Sequence, residues 1–264
     1  MIAKDTKLFI ATPAFDGKTH IQYTVALADT QLLLSQHGVE TKIVITSCGS
    51  RLDFERARLC KAFLQSDCTH MLCIDSDLGW PPVAVVKLLE QDEDCVGGLY
   101  PARNRPTDAP IFYFRATCKE DGSVVQHPFK QPLLQMQYIP AGFVLIKRRV
   151  FEAIIDKFPE LYFEPKHESL IQENGHLFFH GYIWEGELWG EDYNFCRRVR
   201  DCGFKIYIDP LIQFDHAGRI GSFMDVLSQT PIKNDNLAAQ KRQNSAQLSN
   251  AINQNLLEKT ATLN

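Results

Sequence analysis

The sequence predicts an α/β fold with a mostly parallel central sheet flanked by helices. Three observations carry this. Apolar segments of strand length alternate with segments of helical apolar spacing through the first half of the chain, at lengths that suit βαβ units. The segment His70–Ile74 (HMLCI) is nearly all apolar, as a strand covered on both faces must be. A chain of 264 residues, 45% of them hydrophobic, is long enough for one complete α/β domain, or for a core domain with large insertions.

Lys7–Ala11 (KLFIA) is the first predicted strand, with Thr12-Pro13 ending it. Thr24–Gln36 has helical spacing, and Gly38 lies just past its end. Thr41–Thr46 (TKIVIT), rich in β-branched residues, is the second strand. Leu52–Gln65 is the second helix and His70–Ile74 the third strand. Pro81-Pro82 pre-sets the start of a helix that runs to Gln91, and Cys95–Leu99 is the fourth strand. Between Tyr100 and Ile139, prolines at 101, 106, 110, 128 and 132 loosen the pattern, leaving short strands at Ile111–Arg115 and Leu133–Tyr138. Phe143–Ile146 (FVLI) is a further strand, followed by a helix over Arg148–Phe158. Glu160–Trp189 is irregular and aromatic-rich, with a strand near Leu177–Ile183 and its aromatic residues assigned mainly to the core. Glu191–Cys202 is helical, with Gly203 at its C-terminal end, and Lys205–Asp209 and Leu211–Asp215 are short strands around Pro210. After Pro231 the chain turns rich in Asn, Gln, Ala and Lys, with one weak helical stretch over Ala246–Leu257. A folded domain is therefore expected over 1–230 and a polar, partly helical tail over 231–264, suited to homo-oligomerisation, to covering a site, or to staying unfolded.

Lys and Arg total 28 against 32 Asp and Glu, a net charge of −4, so the chain lacks the basic excess of a general nucleic-acid binder. The start, Met1–Leu8, has no apolar signal segment, and no stretch approaches the ~18 apolar residues needed to cross a bilayer. A soluble, cytoplasmic protein is expected. Eight cysteines form no C-x-x-C pair, and Cys60, Cys73 and Cys95 sit in apolar segments, as buried thiols of a reducing compartment rather than a zinc site.

In parallel sheets ligands bind beyond the carboxyl ends of the strands. The third strand delivers Asp75-Ser76-Asp77 to that edge. Residues i and i+2 on an extended chain point the same way, so two carboxylates stand side by side there. Like charges this close call for a cation between or beside them, and hard oxygen ligands favour Mg²⁺ or Mn²⁺, which also bridge to phosphates. Later in the chain, Gly190 precedes Glu191 and Asp192 in the first turn of a helix, where the helix dipole favours negative charge. A positioned carboxylate is also what an alcohol needs to become a nucleophile.

These segments resemble GT-A glycosyltransferases of the family 2 type. Ile74-Asp75-Ser76-Asp77 is similar to the family's D-x-D motif, and the string G-E-D-Y-x-F-C-x-R-x-x-x-x-G-x-x-I-x-x-D-P-x-I-x-x-x-H, Gly190–His216, resembles the end of its catalytic core. The likeness runs over Lys7–Gly218. It implies a GT-A fold and transfer of a sugar from a UDP- or GDP-sugar. Asp75 would contact the nucleotide or the metal, with Ser76 between the two acids. Asp77, with His216, would bind Mn²⁺ or Mg²⁺. Asp192, with Glu191 second, would be the base of an inverting reaction. Thr12 and Pro13, after the first strand, would cradle the nucleotide, and Gly142 in Pro140-Ala141-Gly142-Phe143 would let the sugar approach the backbone. Of Arg56 and Arg58, the latter lies 17 residues before Asp75 (58 to 75), similar to the spacing of an arginine that faces the donor in the family, although Leu59 stands where asparagine is common. The acceptor is left open among a glycan, a lipid-linked sugar, a protein and a modified nucleic-acid base. The competing readings are a nucleotidyltransferase, for which Thr12–Lys18 (TPAFDGK) is poor in glycine and basic residues, and a nucleotide-sugar-binding module without activity.

Overall fold

The computed structural model describes residues 1–221 apart from 49–50, 102–115, 118, 121–123, 131, 165–173 and 218. In chain order the elements are β1 (Lys7–Phe15), α1 (Ile21–Gln36), β2 (Glu40–Cys48), α2 (Leu52–Leu64), β3 (His70–Ile74), β4 (Leu78–Gly79), α3 (Val83–Gln91), β5 (Cys95–Gly97), β6 (Leu134–Met136) and β7 (Phe143–Lys147). There follow α4 (Arg148–Lys157), a 3-10 turn (Pro159–Leu161), β8 (Tyr162–Phe163), β9 (Gly175–His176), β10 (Tyr182–Trp184), β11 (Glu187–Trp189), α5 (Glu191–Asp201), β12 (Ile206–Ile208), β13 (Phe214–His216) and β14 (Arg219–Gly221).

Seven strands form the central sheet in the order β2-β1-β3-β7-β5-β12-β6. β1 pairs in parallel with β2 and β3, and β12 with β5. β7 runs antiparallel to both β3 and β5, and β6 antiparallel to β12, so the sheet is mixed but mostly parallel. Side chains alternate across it as the period of two requires. Phe9, Met71, Cys73, Val144 and Ile146 join one apolar cluster with α2, α4 and α5. Leu8, Ile10, Leu72, Ile74, Phe143 and Leu145 join the other with α1 and α3. This two-sided burial is why the central strands read as continuous apolar runs. At Gly97 a Cβ would stand 2.3 Å from the Phe143 carbonyl oxygen, so only glycine lets β7 lie this close to β5.

Several elements differ from expectation. β1 continues through Thr12-Pro13 to Phe15, because beyond Ala11 it has a partner on one side only, β2, and an edge tolerates proline. Leu177–Phe179 is not a strand. Phe178 and Phe179 are buried in irregular backbone, and the strand begins at Tyr182, paired with β11 across a tight turn in which Glu185 and Gly186 have φ of 51° and 81°. The stretch is not all core, since the hairpin presents Ile183 and Leu188 to solvent. The last strand starts at Phe214 rather than Leu211. The strand expected at Ile111–Arg115 and the tail helix at Ala246–Leu257 lie outside the described residues. The described cysteines 60, 68, 73, 95 and 196 are buried and Cys202 half-buried, all unpaired with one another. Among the described residues no helix is long and apolar enough to cross a membrane.

Two devices fix the elements that carry the site. The Arg148 guanidinium donates to the carbonyls of Phe63, Leu64, Ser66 and Cys68, tying the C-terminal end of α2 to the start of α4. A small sheet, β14-β13-β4, pairs His216 with Leu78 and Asp215 with Gly79, and so brings the chain after β12 back across the end of β3.

Candidate functional site

β3 ends at Ile74, and the Asp75 amide donates to the Gly142 carbonyl at 2.9 Å, just before β7 begins. The Asp75 carboxylate thus lies at the carboxyl end of the sheet. Arg56, on the face of α2 that covers the sheet, reaches it: Nη2 is 3.5 Å from Asp75 Oδ1. The same guanidinium stands 2.5 Å (Nη1) from Asp192 Oδ1 and 3.9 Å from Glu191 Oε1, at the first turn of α5. Its side chain is only 7% exposed. The planar fork of an arginine presents five donors in fixed directions and can address several carboxylates at once. Burial opposes the Arg56 charge, but Asp192, Asp75 and Glu191 together outweigh it and hold the group firmly protonated. The guanidinium also lies 5.2 Å from the Phe179 ring centroid. That ring is held in place from α5, where Arg198 donates to the Phe178 carbonyl at 2.9 Å and Asn194 to the His180 carbonyl at 2.8 Å.

Asp75 has a second partner. The Tyr100 hydroxyl, just beyond β5, donates to Oδ2 at 3.1 Å. Burial pushes the Asp75 carboxyl up, against the pull of Arg56, and Asp192 and Asp77 push the same way. Burial likewise holds the Tyr100 hydroxyl well above the usual phenol range, with Asp75 and Asp192 adding to it.

Asp77 faces a different partner. Its Oδ2 is 3.3 Å from His216 Nε2. His216 Nδ1 lies 2.6 Å from the Pro101 carbonyl oxygen. A carbonyl can only accept, so Nδ1 carries the proton and Nε2 is turned toward Asp77. The Tyr100 ring stands edge-on to the imidazole at 5.1 Å and links the two halves of the site. Burial works against protonation of His216, but the Asp77 side chain and the Pro101 carbonyl outweigh it, so the imidazole holds a proton more tightly than usual.

The structure therefore gathers Arg56, Asp75, Asp77, Glu191, Asp192 and His216 at one edge of the sheet. It does not bring Arg58 there. Arg58 is 49% exposed and pairs with Glu55 at 3.3 Å. Residues two apart on a helix point ~200° apart, so only one of Arg56 and Arg58 can face the sheet. Gly142 lies against Asp75 and Tyr100. A Cβ there would meet Tyr100 Oη at 2.0 Å and Asp75 Oδ2 at 2.3 Å, so the glycine makes room for the carboxylate. Thr12 is fully buried, its hydroxyl 2.6 Å from that of Tyr23, while Pro13 is half-buried at the end of β1. Ser76 accepts the His20 amide on its carbonyl at 2.9 Å. Asp75 is committed to Arg56 and Tyr100, while Asp77 and His216 face each other. Among the described residues no group of three or more His, Cys, Asp or Glu side chains could hold a metal ion. Tyr100 and Phe179 also border these residues; Phe179 falls in the aromatic stretch assigned mainly to the core, and Tyr100 was not singled out. Tyr100 had a signal, since it follows a buried strand and reaches the same sheet edge as Asp75.

No protein-family profile matches the chain, and no curated protein matches its sequence. Among solved structures, the crystal structure of S. aureus TarS 1-349 matches with a TM-score of 0.36 at 12% identity, covering 93% of this chain and 71% of that one.

Proposed function

We propose that the chain is a GT-A-type glycosyltransferase that moves a sugar from a UDP- or GDP-sugar to a hydroxyl acceptor. The observation that carries this is the buried Arg56, which joins the acid at the end of β3 to the acid pair at the start of α5, beside the Asp77–His216 pair. Donor-side and acceptor-side carboxylates thereby share one cleft edge.

The residues fit a divalent cation that draws its other ligands from diphosphate and water. Asp77 Oδ2 and His216 Nε2 are 3.3 Å apart, close to the span of two ligands on one ion, and the imidazole is oriented by its bond to Pro101. A mixed oxygen and nitrogen pair suits Mn²⁺ better than Mg²⁺. Bound there, the ion would neutralise charge on the leaving diphosphate. Asp75, held by Arg56 and Tyr100, is assigned to the nucleotide. Asp192, which meets Arg56 through Oδ1, accepts the acceptor's hydroxyl proton, and Glu191 is the second candidate for that role. A positioned base of this kind supports inversion. A nucleotidyltransferase is the weaker reading, because β1 runs on to Phe15 and leaves no glycine-rich phosphate loop after it.

The test is hydrolysis of a panel of nucleotide sugars, with Mn²⁺ and with EDTA, in wild type and Asp77→Ala. Metal-dependent release of UDP or GDP from one donor, lost in the variant, is the expected result. Neither cleavage nor metal-dependent nucleotide binding from any donor would sink the proposal.

A further inference from the structure

β5 ends at Gly97, and the chain runs from it into the site through Gly98, Leu99 and Tyr100. This exit is pinned. The Gly98 amide donates to the Phe143 carbonyl at 3.1 Å, and Leu99 is buried. A Cβ at Gly98 would stand 2.6 Å from Phe214 Cζ, so the Phe214 ring of β13 lies directly against this backbone. Tyr100 is thereby delivered between the end of β3 and β13, at a point set by core packing.

From there it touches both halves of the site with different atoms. Its hydroxyl donates to Asp75 Oδ2 at 3.1 Å, while Arg56 Nη2 faces Oδ1 at 3.5 Å. Each oxygen of that carboxylate has its own donor, which fixes the plane of the group. The Tyr100 ring stands at 87° to the His216 imidazole, centroids 5.1 Å apart, and at 71° to the Phe214 ring, 5.9 Å away. The next residue, Pro101, accepts the His216 Nδ1–H on its carbonyl. One dipeptide therefore holds both Asp75 and His216. The two contacts have separate chemical origins. A phenylalanine would make the ring contacts equally well, and the hydroxyl adds the bond to Asp75. Space for that hydroxyl is left by another element, since a Cβ on Gly142 would stand 2.0 Å from it.

We propose that Tyr100 is a positioning residue with two separable actions: its hydroxyl aims Asp75 at the nucleotide, and its ring aims His216 at the metal. This rests on the assignment above of Asp75 to the nucleotide and of Asp77 with His216 to the cation.

Equilibrium titration of the full chain with UDP and with GDP, in EDTA and again in Mn²⁺, tests this without turnover. The ratio of the two affinities is the gain due to metal. Tyr100→Phe should weaken binding in EDTA about ten-fold and keep the wild-type gain, because it removes the bond to Asp75 and nothing else. Tyr100→Ala should weaken binding in EDTA as much and also cut the gain about ten-fold, because His216 loses the ring beside it. Thermal unfolding run alongside sets a temperature at which all three proteins are folded. A role in stability alone would leave both affinities unchanged in the folded variants. Wild-type binding in EDTA by Tyr100→Phe overturns the proposal, and so does a gain that falls equally in both variants or in neither. A wild type that binds neither nucleotide, or gains nothing from Mn²⁺, overturns the site assignment itself and this inference with it.

Discussion

Replacing Arg56 with methionine keeps much of the side chain's bulk and removes its charge. Asp75, Asp192 and Glu191 then share one cleft edge without the cation they now face at 3.5, 2.5 and 3.9 Å. Removing one partner of a buried ion pair costs about 3–5 kcal/mol. The three acids are 20% to 36% exposed, so water recovers part of this, and we take about 2–3 kcal/mol at pH 7. For a chain of this size that is a fall in Tm of roughly 5–10 °C. The loss should depend on pH. The Asp75 carboxyl is already raised in the folded chain, so its ionisation costs stability as pH climbs through its folded value, and Arg56 offsets part of that cost. Without Arg56 the carboxyl rises further, and the gap from wild type must widen from about pH 4 to pH 7. Arg58→Met is the internal control, since its exposed pair with Glu55 is worth about 0–1 kcal/mol. Thermal unfolding of the three proteins at both pH values decides the matter. An Arg56→Met change as mild as Arg58→Met, or a deficit that stays constant with pH, would refute the reasoning.

Gly142→Ala should lower Tm by the equivalent of about 1–3 kcal/mol and reduce nucleotide affinity, because its Cβ would enter space held by Asp75 and Tyr100; an unchanged melting curve would count against the close approach. Asp77→Asn and His216→Gln should each weaken Mn²⁺-dependent nucleotide binding by about 10–100-fold while sparing metal-independent binding, as titration with and without EDTA would show. His70 is pushed down to about 4 by burial and by Lys147, against Asp92 and Asp94. The stability from keeping it neutral is complete above its unfolded value of 6.5 and is lost as pH falls from there toward about 4. Wild type should therefore lose about 2 kcal/mol more than His70→Gln across that window, and parallel stability curves for the two would contradict this.

The sheet edge was legible because its signals are local. An apolar run ending in Asp75-Ser76-Asp77 states both a buried strand and what it delivers, and Gly190-Glu191-Asp192 states a helix start. What the sequence left open depends on pairings between distant segments. Arg56 meets Asp192 across 136 residues, and nothing near Arg56 says that it, rather than Arg58, turns inward. The antiparallel β7 was hidden because a buried strand reads as the same apolar run in either direction. The extra length of β1 was hidden because Pro13 is disfavoured only where strands pair on both sides, and which strand stops early is decided by β3.

The position of β7 has a consequence for how the chain is made. β2, β1 and β3 are neighbours in the sheet and complete once Ile74 has emerged, so they can pair early. β5 has no such neighbour. It lies between β7 and β12, synthesised later at Phe143–Lys147 and Ile206–Ile208. Until β7 slots in, β3 keeps an apolar open edge, and β5 waits beside it through a long loop closure. During synthesis this edge is the stretch most open to mispairing with another chain. The carboxylates that follow β3 are made early, but their setting is finished late, when Gly142, Asp192 and finally His216 arrive.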